Sequence, residues 1–156
     1  MSTDHQRQTS VASSATELTR DEILAMFARR QEAFDDLDAA RLAADYADDV
    51  VIESPMSGRH GKADAERNLR AFFDAFLDLK ATFDPPIVDG QHVGVIGMCE
   101  GTNIGGFMGI APSGRAFKLR TVMMFELRGG KIVREQRIYD FTGMLIQIGI
   151  LKAKPV

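Results

Sequence analysis

The residues best suited to chemistry lie close together near the C-terminal end of the chain. Glu135 and Arg137 are two positions apart in a predicted strand, residues 131–139, and alternate residues of a strand share one face. Arginine keeps its proton at ordinary pH but stabilises a developing oxyanion, whereas a carboxylate can accept a proton. The sequence therefore predicts Glu135 as the acid/base and Arg137 as the anion stabiliser. An ion pair that only shapes the interior is the alternative interpretation, and both stay open.

Other polar side chains are candidates for the same interior. Glu53 follows the first predicted strand, and Glu100 lies within a β-rich run. Both could reach a cavity and pair with Arg137, or they could be rim residues in water. Tyr46 and Tyr139 offer hydroxyl groups to a substrate carbonyl, although a tyrosine on the inner face of a helix, where Tyr46 is predicted, is more often a core residue.

Motifs for metals and nucleotides are not found in the sequence. His60 in a predicted loop and His92 beside a turn have no histidine or cysteine at ligand spacing, and His5 lies in the N-terminal tail. We expect these histidines at the surface and expect no metal site. The glycines of residues 105–109 do not form a dinucleotide-binding pattern, so a tight loop is predicted there. Chemistry without a cofactor, or no chemistry at all, remains.

Composition indicates one globular domain. The chain has 156 residues, with 19 basic against 22 acidic side chains and a net charge of −3. This balance disfavours a nucleic-acid binder, and no apolar window is long enough for a membrane span. Cys99 is the single cysteine, so the default location is the reducing cytoplasm. Residues 1–18 are polar and are predicted to be a disordered tail before a single domain, residues 19–156.

The elements that must position these residues follow from periodicity and capping. Thr19 and Glu22 have the spacing of a capping box, and Asp38 and Asp140 are predicted to cap further helices. Helices are predicted from residue 20, over 39–49, 63–79 and 141–151, and strands over 50–52, 81–88, 93–103, 116–127 and 131–139. Helices come first and strands pair by hairpins later, which is typical of an α+β fold with an antiparallel sheet.

The side chains of the predicted strand 116–127 alternate between two faces, and the composition of the faces indicates an oligomer. The side chains predicted to face the helices are Phe117, Leu119, Thr121, Met123 and Phe125. The opposite face is partly apolar, with Val122, Met124, Ile132 and Ile138, although a face in contact with water should be polar. We therefore expect a second subunit on this face, most simply as a C2 homodimer.

Three stretches of the chain resemble a known family. They are Ala47-Asp48-Asp49-Val50-Val51, residues 101–115 (GTNIGGFMGIAPSGR), and the run from Lys131-Ile132-Val133 to Gly143-Met144-Leu145-Ile146-Gln147-Ile148-Gly149. With the order of elements, they resemble the SnoaL-like branch of the nuclear transport factor 2-like superfamily. The resemblance implies a cone-shaped α+β barrel, in which a curved antiparallel sheet wraps around N-terminal helices and encloses a deep apolar pocket.

The resemblance also implies a chemistry. Members are polyketide cyclases that close a ring by an intramolecular aldol reaction without metal or cofactor, often with a His-Trp-Asp run on the last strand. The corresponding residues here are Glu135-Gln136-Arg137, so an arginine stands where the catalytic aspartate would be. Met123 and Asn103 stand where the family has a polar residue and a histidine. The expected substrate-binding residues are Tyr46, Glu53, Phe72, Phe76, Glu100, Phe107, Thr121, Met123, Phe125 and Tyr139.

These observations lead to hypotheses from different classes. The first is a cofactor-independent enzyme that acts on a hydrophobic, oxygenated small molecule by aldol cyclisation, isomerisation or hydration. The second is a protein that binds such a molecule without converting it. Relatives of the resembled family include epoxide hydrolases with a carboxylate, an arginine and a second carboxylate around one pocket. Glu53 or Glu100 with Glu135 and Arg137 would suit that reaction, in which one acid activates water and the other protonates the epoxide.

Overall fold

A computed structural model describes residues 16–154, so most of the predicted tail, His5 included, lies outside the described residues. The elements in chain order are α1 (Arg20–Asp35), α2 (Ala39–Ala44), β1 (Tyr46–Ser54), β2 (Gly58–His60), α3 (Lys62–Ala75), β3 (Lys80–Phe83), β4 (Ile87–Asp89), β5 (His92–Thr102), β6 (Ala116–Arg128), β7 (Lys131–Tyr139) and α4 (Phe141–Gln147). Within this part of the chain, no helix has the length and apolar character needed to cross a membrane.

The predicted helix caps are confirmed. The Thr19 hydroxyl accepts a hydrogen bond from the Glu22 backbone N–H at 3.2 Å, and the Glu22 carboxylate accepts one from the Thr19 N–H at 2.8 Å. The Asp38 carboxylate caps α2 by accepting from the Arg41 N–H, and the Asp140 carboxylate caps α4 by accepting from the Gly143 N–H. Each cap satisfies N–H groups that have no partner within the helix, so the helix starts are fixed locally by the sequence.

The seven strands form one curved, open sheet in the order β2-β1-β7-β6-β5-β3, with β4 paired to β5. The α+β class is confirmed. One ladder departs from the expected antiparallel pattern, because β1 runs parallel to β7. The long stretch of chain between β1 and β7 allows the crossover that parallel pairing needs. The sheet does not close into a barrel.

Several predicted boundaries shift. The second helix ends at Ala44 rather than at Asp48-Asp49, and Tyr46 therefore begins β1 instead of lying on a helix. The reason is a backbone bond from the Ile132 N–H to the Asp45 carbonyl at 2.9 Å, which ties this segment to β7. The predicted loop 56–62 contains β2, α3 stops at Ala75, and α4 stops at Gln147.

The predicted alternation of β6 is confirmed, but one residue of the neighbouring strand was placed on the wrong face. Phe117, Thr121, Met123 and Phe125 are buried on the inner face. Ile132 is buried in the core instead of lying on the outer face. The β6–β7 ladder shifts register between Glu126 and Leu127, and such an irregularity reverses which residues face inward.

The outer face of the sheet carries a continuous apolar row. Ile96, Val122 and Ile138 lie directly opposite one another on β5, β6 and β7. We propose that a second copy of the chain covers this row. On β6 the outward apolar residues are Val122 and Met124, with Arg120 two positions before them and Glu126 two positions after them. A two-fold axis that crosses β6 at right angles between Val122 and Met124 sets Arg120 of one copy opposite Glu126 of the other.

We expect Ile138→Asp to convert a dimer into a monomer, because it places a charge within an apolar contact. Leu77→Asp is a matched control, since Leu77 is 61% exposed against 62% for Ile138 but lies in the turn after α3. Sedimentation velocity measures both variants and the wild type. A monomeric wild type, or a dimer that survives Ile138→Asp, would contradict the proposed contact.

Candidate active site

A closed group of hydrogen bonds surrounds Glu135 on the inner face of β7. The Tyr46 hydroxyl donates to Glu135 Oε2 at 2.5 Å, and Arg137 Nε donates to Oε1 at 2.5 Å. Arg137 Nη2 also donates to the Tyr46 hydroxyl oxygen at 3.2 Å. Glu135 and Arg137 thus share the inner face, as their spacing predicts, with only 1% and 14% of their side chains exposed.

The parallel ladder explains how Tyr46 reaches this position. Tyr46 pairs with Ile132, and Ile52 pairs with Glu135. The first residue of β1 therefore lies beside the start of β7, and its buried side chain extends along the inner face towards Glu135. Tyr46 and Glu135 are 89 positions apart in the chain, so the contact depends on the sheet topology.

A second guanidinium group lies close by. Arg30 of α1 is 5% exposed. Its Nη1 donates to the Leu42 carbonyl at 3.1 Å and to Asp45 Oδ2 at 2.9 Å. Its guanidinium carbon is 5.6 Å from the centre of the Tyr46 ring and 5.5 Å from that of Phe125, which is cation–π geometry. Two buried cations are thus balanced by the carboxylates of Glu135 and Asp45.

Sequence reasoning missed Arg30, although a signal was available. Ile23, Phe27 and Arg30 recur at helical spacing, which places a charged residue on the buried side of α1. A buried arginine requires a buried counter-charge or a ligand. Such a residue on an apolar helix face is therefore a candidate for a site.

The protonation of the group follows from its surroundings. Burial alone raises the pKa of Glu135, but the charges of Arg137 and Arg30 and the hydrogen bonds from Arg137 and Tyr46 outweigh it and lower that pKa. Burial first, and then the charge of Glu135, raise the pKa of Tyr46 to about 12. At neutral pH the group is an ionised carboxylate that accepts from a neutral phenol and a cation.

A mostly apolar cavity of about 90 Å³ lies between α3 and the inner face of the sheet, with Arg137 in its wall. Of the residues predicted to bind substrate, Phe72, Thr121, Met123 and Tyr139 line it. Cys99 lines it as well, and burial raises the pKa of its thiol to about 12, so this thiol is a poor nucleophile.

Asn68 of α3 is a cavity residue that the sequence analysis missed. It lines the cavity with Arg137, Thr121 and Tyr139. Its position three residues after the buried Ala65 and four before Phe72 puts it at the edge of the apolar face of α3. That helical spacing was the available signal for it.

The remaining predicted residues lie outside this cavity. Tyr46 is buried behind Arg137, together with Glu135. Phe76 and Phe107 pack against each other in the adjacent core, with ring centres 5.2 Å apart. Phe125 packs against Phe27 on the other side, at 4.9 Å.

Glu53 and Glu100 are not brought to Arg137. Glu53 accepts a hydrogen bond from Gln136 Nε2 at 3.2 Å, and the two residues are paired on the outer face. Glu100 pairs across the strands with Lys118, 3.5 Å away, also on the outer face. Glu135 is thus the carboxylate that contacts Arg137 in the described part of the chain.

His60 differs from its predicted position at the surface. It lies opposite Ile52, which faces inward, and both ring nitrogens are shielded from water without a hydrogen-bond partner among residues 16–154. Burial, followed by the positive charge of Arg137, lowers the pKa of His60, so its ring is neutral at pH 7. His92 is exposed, as predicted. Residues 16–154 contain no cluster of three or more His, Cys, Asp or Glu side chains suited to a metal ion.

Comparison with known proteins places this geometry in a family. The family model of SnoaL-like polyketide cyclases matches residues 25–148. No curated protein matches the sequence. Among solved structures, AclR from Streptomyces galilaeus has 21% identity and a TM-score of 0.76 over 88% of this chain and 87% of its own.

Two further structures are similar in fold. IdmH from Streptomyces antibioticus has 27% identity and a TM-score of 0.63, covering 80% of this chain and 96% of its own. An LEH-like epoxide hydrolase from M. tuberculosis has 16% identity and a TM-score of 0.62, covering 82% of this chain and 90% of its own. Proteins named for different activities therefore share this architecture.

We expect Glu135→Gln to destabilise the protein by about 3–5 kcal/mol at neutral pH, because it leaves buried guanidinium charge uncompensated. The pKa of Glu135 is lowered from its ordinary value of 4.5 on folding, so the unfolded chain takes up the proton first as the pH falls. The stabilisation from ionised Glu135 is present above the ordinary pKa of 4.5 and is lost as the pH falls through the lowered pKa of the folded chain. Urea unfolding between pH 3 and 7 should therefore show a flatter pH dependence for the variant.

Glu100→Gln is the control for this measurement. It removes a carboxylate from an exposed ion pair with Lys118 and should change the free energy of unfolding by no more than about 1 kcal/mol. Parallel curves for wild type and Glu135→Gln would contradict the assignment of an ionised, stabilising Glu135.

Proposed function

The chain belongs to the SnoaL-like polyketide cyclase family, and within it we propose a cofactor-independent enzyme that moves a proton on a hydrophobic, oxygenated small molecule. The reaction class is aldol cyclisation or isomerisation, with hydration as a further member. One observation carries the proposal. Arg137 lies in the wall of the cavity and at the same time holds the buried carboxylate of Glu135.

Arg137 is suited to bind the oxygen atom at which charge develops. Its Nε and Nη2 are used by Glu135 and Tyr46, and residues 16–154 supply no acceptor for Nη1. A substrate carbonyl in the cavity can take this donor. As the carbonyl becomes an enolate, the negative charge grows beside a fixed cation in apolar surroundings, where the interaction is stronger than in water.

Glu135 is suited to take the proton once Arg137 turns to the substrate. If Arg137 turns with the substrate oxygen that its Nη1 binds, its Nε–H no longer donates to Glu135 Oε1, and this oxygen loses a hydrogen bond and part of its neutralising charge. Both losses raise the basicity of the carboxylate. The C–H bond next to the carbonyl breaks, its proton passes to Glu135, and its electron pair forms the enolate. Return of the proton to another carbon gives isomerisation. Attack of the enolate on a second carbonyl carbon forms the ring C–C bond, and the alkoxide formed takes the proton back from Glu135 to give the aldol.

Binding without conversion is the second candidate, and a specific observation favours it. Glu135 is almost completely buried, and it does not line the cavity. A carboxylate with a lowered pKa is also a weak base. Epoxide hydrolysis has less support, because no carboxylate among the described residues lines the cavity beside Arg137.

We expect the protein to accelerate exchange of the α-hydrogens of 2-tetralone in D₂O, followed by proton NMR. This flat ketone reports the proton-transfer step that cyclisation and isomerisation share. Glu135→Gln should slow the exchange by about 100-fold or more, since general bases contribute roughly that factor. Its affinity for 2-tetralone, measured by saturation-transfer NMR, should stay within about twofold of the wild-type value because Arg137 is retained.

The control is Glu100→Gln, which should exchange at the wild-type rate. Binding of 2-tetralone with exchange at the buffer rate would favour the non-catalytic protein. Hydration of styrene oxide without exchange of 2-tetralone would favour epoxide hydrolysis, and either result would contradict the proposed proton transfer.

In the same assay, kcat/KM and kcat should decline at different pH values on acidification. In the free protein the pKa of Glu135 is lowered from 4.5, so the acid limb of kcat/KM should have its midpoint below that value. The acid limb of kcat should lie at higher pH, because kcat reports the complex, in which Arg137 has turned away from the carboxylate. Circular dichroism at each pH confirms folded protein. Identical midpoints would contradict the exchange of partners at Arg137.

A further inference from the structure

A second cavity, of about 330 Å³, lies beneath α1 at the other end of the buried charges. Its walls come from α1, from the segment Phe83–Pro86 and from the inner faces of β5 and β6. Phe34, Phe83 and Met123 line both cavities, so the two cavities are neighbours. We propose that this second cavity binds a flat aromatic ligand that carries one carbonyl or carboxylate oxygen, and that Arg30 donates to this oxygen.

Arg30 has donors to spare. Of its guanidinium nitrogens only Nη1 has acceptors among residues 16–154, namely the Leu42 carbonyl and Asp45. The other two nitrogens, Nε and Nη2, are not sealed from water. Arg30 lines the second cavity, and the geometry points to Nε and Nη2 as its donors to a ligand there. A buried cation with unpaired donors favours binding of an oxygen acceptor.

The other polar side chains of this cavity do not compete for that role. The Gln31 amide donates to the Ala81 carbonyl at 2.7 Å and to Asp35 at 3.0 Å, and its oxygen accepts from the Phe83 N–H at 3.2 Å. Asp84 is exposed and supplies a negative charge to the same cavity. One acceptor group at Arg30 is therefore favoured over a ligand with several negative charges.

The walls define the rest of the ligand. The rings of Phe27 and Phe125 meet edge to face at 4.9 Å, and those of Phe34 and Phe83 meet at 5.2 Å. Edge and face contacts of this kind suit another flat ring. Phe125 also lies beneath the Arg30 guanidinium, so an aromatic ligand on this wall has its oxygen next to the donor. The site does not depend on proton transfer at Glu135 and is independent of the proposed function.

The test uses 2-naphthoate, with 2-methylnaphthalene as the probe that lacks an acceptor. In ¹H–¹⁵N spectra of the full chain, 2-naphthoate should shift the amide signals of Ala28, Gln31 and Asp84, which line the second cavity and not the first. Ala28→Phe should weaken binding by about tenfold or more, because the new ring occupies the cavity. Ala25→Phe is the matched control, since Ala25 is also exposed on α1 but does not line this cavity. It should bind within about twofold of the wild type.

Arg30→Lys tests the donor itself. It keeps the charge but loses the planar fork, so it should reduce the preference for 2-naphthoate over 2-methylnaphthalene by about tenfold, the value of one charge-assisted hydrogen bond. If that variant does not fold, the comparison of Ala28→Phe with Ala25→Phe still tests whether 2-naphthoate binds in the second cavity. The proposal is overturned if 2-naphthoate does not bind, if its shifts are confined to residues of the first cavity, or if Ala28→Phe binds as the wild type does.

Discussion

The carboxylate of Glu135 lies almost completely out of water, and the rest of the interior is arranged around that fact. An isolated buried charge costs several kcal/mol in real proteins. Glu135 is compensated by three groups from three elements, since Arg137 comes from β7, Tyr46 from β1 and Arg30 from α1. The same constraint therefore fixes the start of β1, the position of α1 over the sheet and the side of β7 that faces inward.

The two buried guanidinium groups border two different cavities. Arg137 lies in the wall of the smaller cavity and Arg30 in that of the larger one, with Tyr46 and Glu135 between them. Each cation is only partly satisfied by protein acceptors. The carboxylates of Glu135 and Asp45 thus balance the charges of Arg137 and Arg30, while N–H donors of both arginines stay available next to cavities of small-molecule size.

The parts of the fold that could be predicted depend on neighbours in sequence. The caps at Thr19, Asp38 and Asp140 and the alternation of β6 are local patterns, and the structure confirms them. The shared face of Glu135 and Arg137 is of the same kind, because no irregularity falls between positions 135 and 137. Ile132 was placed wrongly because a register shift between Glu126 and Leu127 reverses the strand parity, and a sequence pattern does not reveal where such a shift falls. Tyr46 and Arg30 reach the site through contacts between distant segments, which periodicity within one segment does not predict.

The parallel pairing of β1 with β7 has a consequence for biosynthesis. Tyr46 leaves the ribosome long before Glu135, its partner 89 positions later, and translation proceeds at about 5–20 residues per second. During that interval Arg30 and Tyr46 have no carboxylate from β7 to meet, so the nascent helices cannot settle around a finished interior. Contacts of this sequence separation also slow the search for the native topology. The interior around Glu135 is therefore completed only after β7 has been synthesised, whereas α1 and the start of β1 wait for their charged partner.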